Sequence, residues 1–329
     1  MPANLPPVYL KAERDYRRAQ SAGEQVKCLQ HMLQLIPKHK GTDKLQADIK
    51  SRLKEARQKL QQQTDAPKDG RSFRIPRQGA GRVVVIGGPN SGKSSIVGRL
   101  TGSEPAVAPY PFTTREPLPA MMNIRKVQVQ LVDMPPVSGP PEPWMLNLIR
   151  TADAALLVFD GSSDDAVTDT LEVIQELAAR KTKLSDVTGF DPREFAAVNI
   201  ATLLVVTHAD DPDSSLRHDL FRETADHTFP RCLFCPDDDE SVSQLAEEIY
   251  RLLNIIRVFT KPPGRPPDMQ SPLTTHVGST VEELALQLHE DLARDFRHAR
   301  LWRQGGHDGQ TVGRDYELQD EDIIELHHG

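Results

Sequence analysis

Two periodicities divide the chain. In residues 8–36 and 42–63 apolar positions return at helical spacing, as Leu45, Ile49, Leu53 and Leu60 do with Lys and Arg between them. The connector IPKHKG carries Pro37 and Gly41, so two antiparallel helices joined by a basic turn are expected. The stretch QQQTDAPKDGRS then reads as a linker. From Arg82 the pattern changes to short apolar runs, RVVVIG, VQVQLVD, AALLVFD and TLLVVTHAD, each ending in Gly or Asp. Helical segments are expected near 93–102, 142–150, 166–181, 213–226 and 241–254. Strands alternating with helices predict an α/β domain with a mainly parallel, doubly wound sheet, whose ligands gather at the carboxyl ends of the strands. A third region begins near Ile256. It has a proline-rich KPPGRPPDMQSP, a helix capped by Ser279 or Thr280 with Val281, Leu284, Leu288 and Leu292 on one side, and a tail reading as a turn and a short strand. That combination predicts a small α+β module.

The candidate chemistry lies where the apolar runs end. GGPNSGKSS, residues 87–95, contains the G-x-x-x-x-G-K-[ST] spacing after a strand and before an apolar helix. Gly87, Gly88, Pro89, Asn90, Ser91 and Gly92 can turn backbone N–H groups inward around phosphates, and the start of the next helix adds partial positive charge. Lys93 neutralises phosphate, Ser94 is a ligand for Mg²⁺, and Ser95 follows in the helix. Thr113 and Thr114, in YPFTTRE, are spaced so that a hydroxyl can complete the Mg²⁺ shell when a γ-phosphate is present. Asp133 ends its strand where a carboxylate meets Mg²⁺. Asp210 can accept from guanine N1–H and the exocyclic amine, a pattern that adenine does not offer. QLVDMPPVSG, residues 130–139, is the discordant stretch: Pro136 has no N–H to give a γ-phosphate, and Val137 cannot orient water. Sensing of the γ-phosphate is then weakened or moved, with Gly139 as the next amide in line.

Composition changes this picture in two ways. Residues 1–82 hold 18 Lys+Arg against 8 Asp+Glu, a local +10 within a chain of net −7. A basic arm on an acidic body fits a polyanionic partner such as RNA, with Lys38, Lys40 and Lys44 as phosphate contacts; a solvated helical face fits the charge equally well. Only Cys28, Cys232 and Cys235 are present, an odd set that fits a reducing cytoplasm and strand cysteines better than disulfides or a four-ligand zinc site. The chain has no apolar run long enough to span a membrane and no apolar leader, so no membrane partner is expected.

GGPNSGKSS, PYPFTT, DMPP and THAD resemble the first four motifs of the Obg/DRG-type, translation-factor-class GTPases. STVEELALQLHEDLARDFRHARLW with VGRDYELQDEDIIELH resembles their C-terminal TGS domain. The resemblance implies a basic helical arm at 1–64, a linker at 65–81, a GTP-binding domain at 82–254 and a β-grasp, ubiquitin-like TGS domain at 255–329. It also implies GTP and GDP as ligands with Mg²⁺, slow hydrolysis of GTP to GDP and phosphate, and a ribosome, rRNA or tRNA partner met by the arm and the TGS domain. Lys93, Thr114 and Asn90 would carry catalysis, Asn90 by holding K⁺ between phosphates as in potassium-stimulated relatives. The family also places a hydrophobic residue at the position of Val137. In THAD, Thr207 and His208 stand where Asn and Lys are usual. At the fifth motif Cys235 and Pro236 replace Ser-Ala, which leaves only backbone contact to the guanine carbonyl. Two rivals remain: a GTP-binding RNA-associated module with negligible hydrolysis, and an ATP-using P-loop protein.

Overall fold

The computed structural model describes residues 7–19, 22–36, 42–62, 73, 75–102, 116–191, 193–194, 196–225, 228–303 and 307–328. Its packing divides the chain into two compact units. One comprises residues 1–76, 82–120 and 131–245, and the other 77–81, 121–130 and 246–329.

The arm begins with α1 (Pro7–Arg18), α2 (Ala22–Leu35) and α3 (Asp43–Gln62), so the single helix expected over 8–36 is two. The apolar spacing survives the break between them because Tyr9, Ala12, Leu29, Met32, Ile49 and Leu53 still share one core. The arm is fastened by its own charges. Arg17, buried, donates to the carbonyls of Arg150 and Ala152. Glu13 accepts from the Phe190 N–H at 2.7 Å, and burial pushes its carboxyl above the usual range. Arg52 lies 3.6 Å over the Phe190 ring while pairing with Asp48, and Arg18 pairs with Asp153. Part of the local positive charge is therefore spent inside the protein. Lys44 stays exposed, whereas Lys38 and Lys40 lie outside the described residues.

The central α/β sheet is built from β1 (Arg82–Gly87), β2 (Leu118–Ile124), β3 (Val127–Asp133), β4 (Ala154–Asp160), β5 (Thr182–Ser185), β6 (Gly189–Phe190), β7 (Val198–Thr207) and β8 (Arg231–Phe234). Its order is β2-β3-β1-β4-β7-β5, with β6 and β8 also on β7. The pairings β1/β4, β4/β7, β5/β7 and β7/β8 are parallel. The helices between are α4 (Lys93–Thr101), α5 (Pro143–Arg150), α6 (Ala166–Ala179), α7 (Ser214–Thr224) and α8 (Asp239–Leu252). β1, β4 and β7 are buried on both faces because their runs are almost wholly Val, Leu, Ile and Ala. Each Val, Leu or Ile contributes about 1.5–3 kcal/mol by leaving water, and each Ala less. Phe73 stacks edge-on with Trp144 and Ile75 enters the same core, so the stretch expected as linker is packed from there on.

In the C-terminal unit, β9 (Ile255–Thr260), β10 (Leu273–His276), β11 (Phe296–Arg303), β12 (His307–Val312) and β13 (Asp322–His328) form a five-stranded sheet in the order β10-β9-β13-β11-β12. β9 and β13 are parallel and the other pairs antiparallel. α9 (Val281–Leu288) starts with a capping box between Thr280 and Glu283, and Val281 and Leu284 join the core with Val258, Leu301 and Ile324. The helix stops at His289, whose extended backbone opens the short α10 (Glu290–Arg294). That change of direction leaves Leu288 exposed at 38%, against the expected four-residue stripe, while Ala285 and Ala293 are buried instead.

Candidate functional site

The carboxyl ends of β1, β3, β4, β7 and β8 bring together Gly87, Asp133, Asp160, Thr207 and the Cys235 turn. The phosphate loop leaves β1 at Gly87 and enters α4 at Lys93. Asn90 takes the left-handed conformation, φ +56°, and its side chain is exposed. Gly92 caps α4 at φ +90°, and a Cβ there would meet Thr207 Cγ2 at 3.1 Å. Only glycine suits both demands. Ser91 Oγ donates to the Gly88 carbonyl at 3.0 Å. Lys93 is buried, and its Nζ donates to Gly88 O and to Ser91 Oγ. Burial pulls the Lys93 ammonium down to about 8, with Asp133 and then Asp169 acting the other way. A desolvated cation at a helix N-terminus is a receptor for phosphate.

Ser94 Oγ donates to Asp133 Oδ2 at 2.6 Å, and Asp133 is buried at the end of β3. These are two hard oxygen donors in contact, chemistry that fits Mg²⁺. Pro89, within the loop, and Ser95, in the first turn of α4, are half-buried. Thr113 and Thr114 lie outside the described residues.

At the base end, Thr207 is buried and its hydroxyl reaches the carbonyls of Ser91, at 3.1 Å, and Phe159, at 3.3 Å. Threonine thus braces the phosphate loop from the position where asparagine is usual. His208, at φ +48°, sets Nδ1 2.9 Å from Asp160 Oδ1, so the imidazole is fastened to the neighbouring strand end. Asp210 is exposed in the turn that follows. Cys235 is exposed beyond the end of β8 rather than buried in a strand, and Cys232 is buried. The Cys235 N–H donates to Ser241 Oγ at 3.0 Å, and that hydroxyl donates back to the Cys235 carbonyl. Among the described residues no His/Cys/Asp/Glu cluster could hold a metal ion, so Cys232 and Cys235 have no completing ligands there.

The discordant stretch is anchored. Met134 N–H donates to Val85 O at 3.2 Å and Val137 N–H to Gly87 O at 3.3 Å; the Val137 side chain is buried in the core. Gly139 N–H donates to Glu172 Oε1 at 2.8 Å, so the amide expected as an alternative γ-phosphate sensor points to a carboxylate. Two residues important to this geometry have no sequence signature, Glu172 and Asp169, and Asp160, the polar end of AALLVFD, is given no role by the sequence. A Cβ on Gly88 would come within 2.9 Å of Asp169 Cβ, so that position too requires glycine. Burial, and then the neighbouring acids, push the Asp169 carboxyl above its ordinary range.

Loop, lysine and paired hydroxyl–carboxylate define a P-loop nucleotide-binding domain. Residues 82–189 match the family model described as 50S ribosome-binding GTPase, and residues 256–328 match the TGS domain. An uncharacterised GTP-binding protein of Methanocaldococcus jannaschii is 24% identical, with 92% of each chain covered. Developmentally-regulated G-protein 3 of Arabidopsis thaliana is 24% identical over 78% of this chain and 84% of its own. The Schizosaccharomyces pombe YchF GTPase shares the fold at a TM-score of 0.51 and 14% identity, covering 78% of this chain and 100% of that one. The chain therefore joins a region similar to that GTPase family to a region similar to the TGS domain, the combination the Obg/DRG resemblance implied.

Proposed function

We propose that the protein binds GTP and GDP at the 87–95 loop, hydrolyses GTP slowly with Mg²⁺, and acts as a switch in contact with the ribosome or RNA. The observation that carries this reading is the Ser94–Asp133 contact beside the buried Lys93. Ser94 and Asp133 would hold Mg²⁺, with Thr114 as a further ligand, and the ion would offset charge on the phosphates. Gly87, Gly88, Pro89, Asn90, Ser91, Gly92 and Ser95 form the cradle, and Lys93 holds phosphate oxygens. Thr207 keeps the cradle in place, and Asp210 reads the guanine N1–H and amine. Pro236 has no N–H and the Cys235 N–H is taken by Ser241, so contact to the guanine carbonyl is weak. The partner reading rests on the remaining exposed basic residues of the arm, Lys44 among them, and on the TGS match. Phosphate contacts of that kind weaken as salt rises. No helix among the described residues is long and apolar enough to cross a membrane.

Asn90, exposed in the loop, is assigned to K⁺ bound between phosphates, supplying transition-state charge that Val137 does not. An arginine finger in such a role is worth roughly 10³–10⁵ in rate. Single-turnover phosphate release is expected to be faster in K⁺ than in Na⁺, and Asn90→Ala is expected to abolish the difference. Equal rates in both salts for the wild type would remove K⁺ from the account. A second reading, binding with negligible hydrolysis, is favoured by Pro136 and by the burial of Val137. Binding without release, on ribosomes as well as off them, would select it.

A further inference from the structure

The segment after β3 is usually the part of a nucleotide switch that moves, and here its backbone is already committed. Among residues 134–139, Pro135 and Pro136 have no N–H to offer a phosphate. The amides of Met134, Val137 and Gly139 go to Val85 O, Gly87 O and Glu172 Oε1. Ser138 is the one remaining position, and its side chain faces solvent. The side chains of Met134, Pro135 and Val137 are buried, the first and last within the core that contains Trp144 and Leu148. Releasing this strap would expose those apolar groups and break three hydrogen bonds, one of them to a carboxylate.

The carboxylate belongs to α6, which meets both parts of the site. Asp169 and Glu172 are three residues apart, hence on one face of the helix. Asp169 packs on Gly88 of the phosphate loop, and Glu172 holds Gly139 of the strap. The helix thus ties the strap to the loop independently of any phosphate.

We propose that Glu172 is a positioning residue that locks the segment 134–139 to α6, so that it keeps one conformation whether GDP or GTP is bound. The proposal rests on the reading that the chain binds guanine nucleotides. Within the segment only the Ser138 N–H is then left to answer a γ-phosphate, and any other response arises outside it. A ligand moves a two-state element only through different contacts with its two states, and this strap offers the γ-phosphate no free amide at Pro136, Val137 or Gly139.

Amide hydrogen exchange across residues 134–142 tests this, with saturation by GDP and by a non-hydrolysable GTP analogue confirmed beforehand. In the wild type the two states are expected to agree within about twofold. In Glu172→Ala, exchange at Gly139 is expected to rise by roughly tenfold, the equilibrium worth of one charge-assisted hydrogen bond, and to become different between the two nucleotides. Glu172→Gln keeps an acceptor oxygen without the charge and is expected to fall between the wild type and Glu172→Ala while keeping the two nucleotide states alike, which a general loss of packing at this site would not produce. Divergence of the wild-type states, or unchanged exchange in Glu172→Ala, would overturn the proposal. Failure of either nucleotide to bind would instead remove the guanine reading on which it rests.

Discussion

Replacing Lys93 with Met is expected to abolish measurable nucleotide binding while leaving the nucleotide-free protein at least as stable as the wild type. The side chain is 6% exposed and carries a charge that burial opposes. Truncating one partner of a buried, hydrogen-bonded charge pair costs about 2–5 kcal/mol, here from affinity for phosphate. Each 1.4 kcal/mol is about tenfold, so a loss of roughly thirtyfold to a few thousandfold follows. Methionine keeps the apolar stem and removes the desolvated ammonium, so the melting temperature without nucleotide does not fall. The same lysine sets a pH dependence. With the free-state value lowered to about 8, the cation that phosphate needs predominates at pH 7 and below, is half lost near pH 8, and affinity falls as pH rises through that value. Binding near pH 8 takes up protons, which calorimetry in buffers of different ionisation enthalpy detects. The stability sign is opposite. The folded value lies below the unfolded one, so this group opposes folding at neutral pH and the opposition is relieved as pH rises from about 8. Affinity independent of pH between 7 and 9 would contradict this role for Lys93.

The second large effect concerns the C-terminal unit. Arg257 is 8% exposed on β9, and its guanidinium reaches Asp320 Oδ2 at 2.7 Å, Glu321 Oε1 at 2.6 Å and the Arg125 carbonyl at 3.4 Å. Asp320 also accepts from the Arg257 N–H and from Tyr250 Oη. The hydrogen bond to Asp320 holds the Arg257 guanidinium above its ordinary range. Arg257→Met leaves the half-buried Asp320 and the exposed Glu321 without their cation, expected to cost about 2–4 kcal/mol, chiefly at Asp320. Arg251→Met removes the exposed pair with Glu248, and its cost is expected to stay within about 0.5 kcal/mol. Urea unfolding followed by far-ultraviolet dichroism separates the two. Equal midpoints for these variants would show that the Arg257 network contributes no more than a surface pair.

Local patterns made the phosphate-binding half of the site legible. Glycines, lysine and serine at fixed offsets between an apolar strand and a helix leave few alternatives, and the structure places that stretch between β1 and α4. Asp133 was legible for the same reason, as the polar end of an apolar run. What could not be read were contacts between residues distant in sequence. Glu172 and Asp169 look like ordinary solvated acids on α6, and only the fold puts them against Gly139 and Gly88. Ser241 taking the Cys235 N–H is another case, since the two are six positions apart across a turn and the start of α8. Short strands were missed where the local pattern is weak, as in LPAMMNI of β2, which holds a proline and a single β-branched residue, and the polar TKLS of β5, each held by its neighbours in the sheet. The break between α1 and α2 escaped because the core keeps the apolar spacing across it. At Leu288 the periodicity was real, but the His289 backbone turned the chain before it could be used.

The central claim is that a guanine nucleotide occupies the loop that begins at Gly87, read by Asp210 and dependent on Mg²⁺. Competition of GDP and ADP for a bound fluorescent guanine nucleotide, with Mg²⁺ and with chelator, tests it most directly. The account predicts displacement by GDP and not by ADP, weakened when Mg²⁺ is removed and lost in Asp210→Ala. Displacement by ADP as effective as by GDP would contradict it.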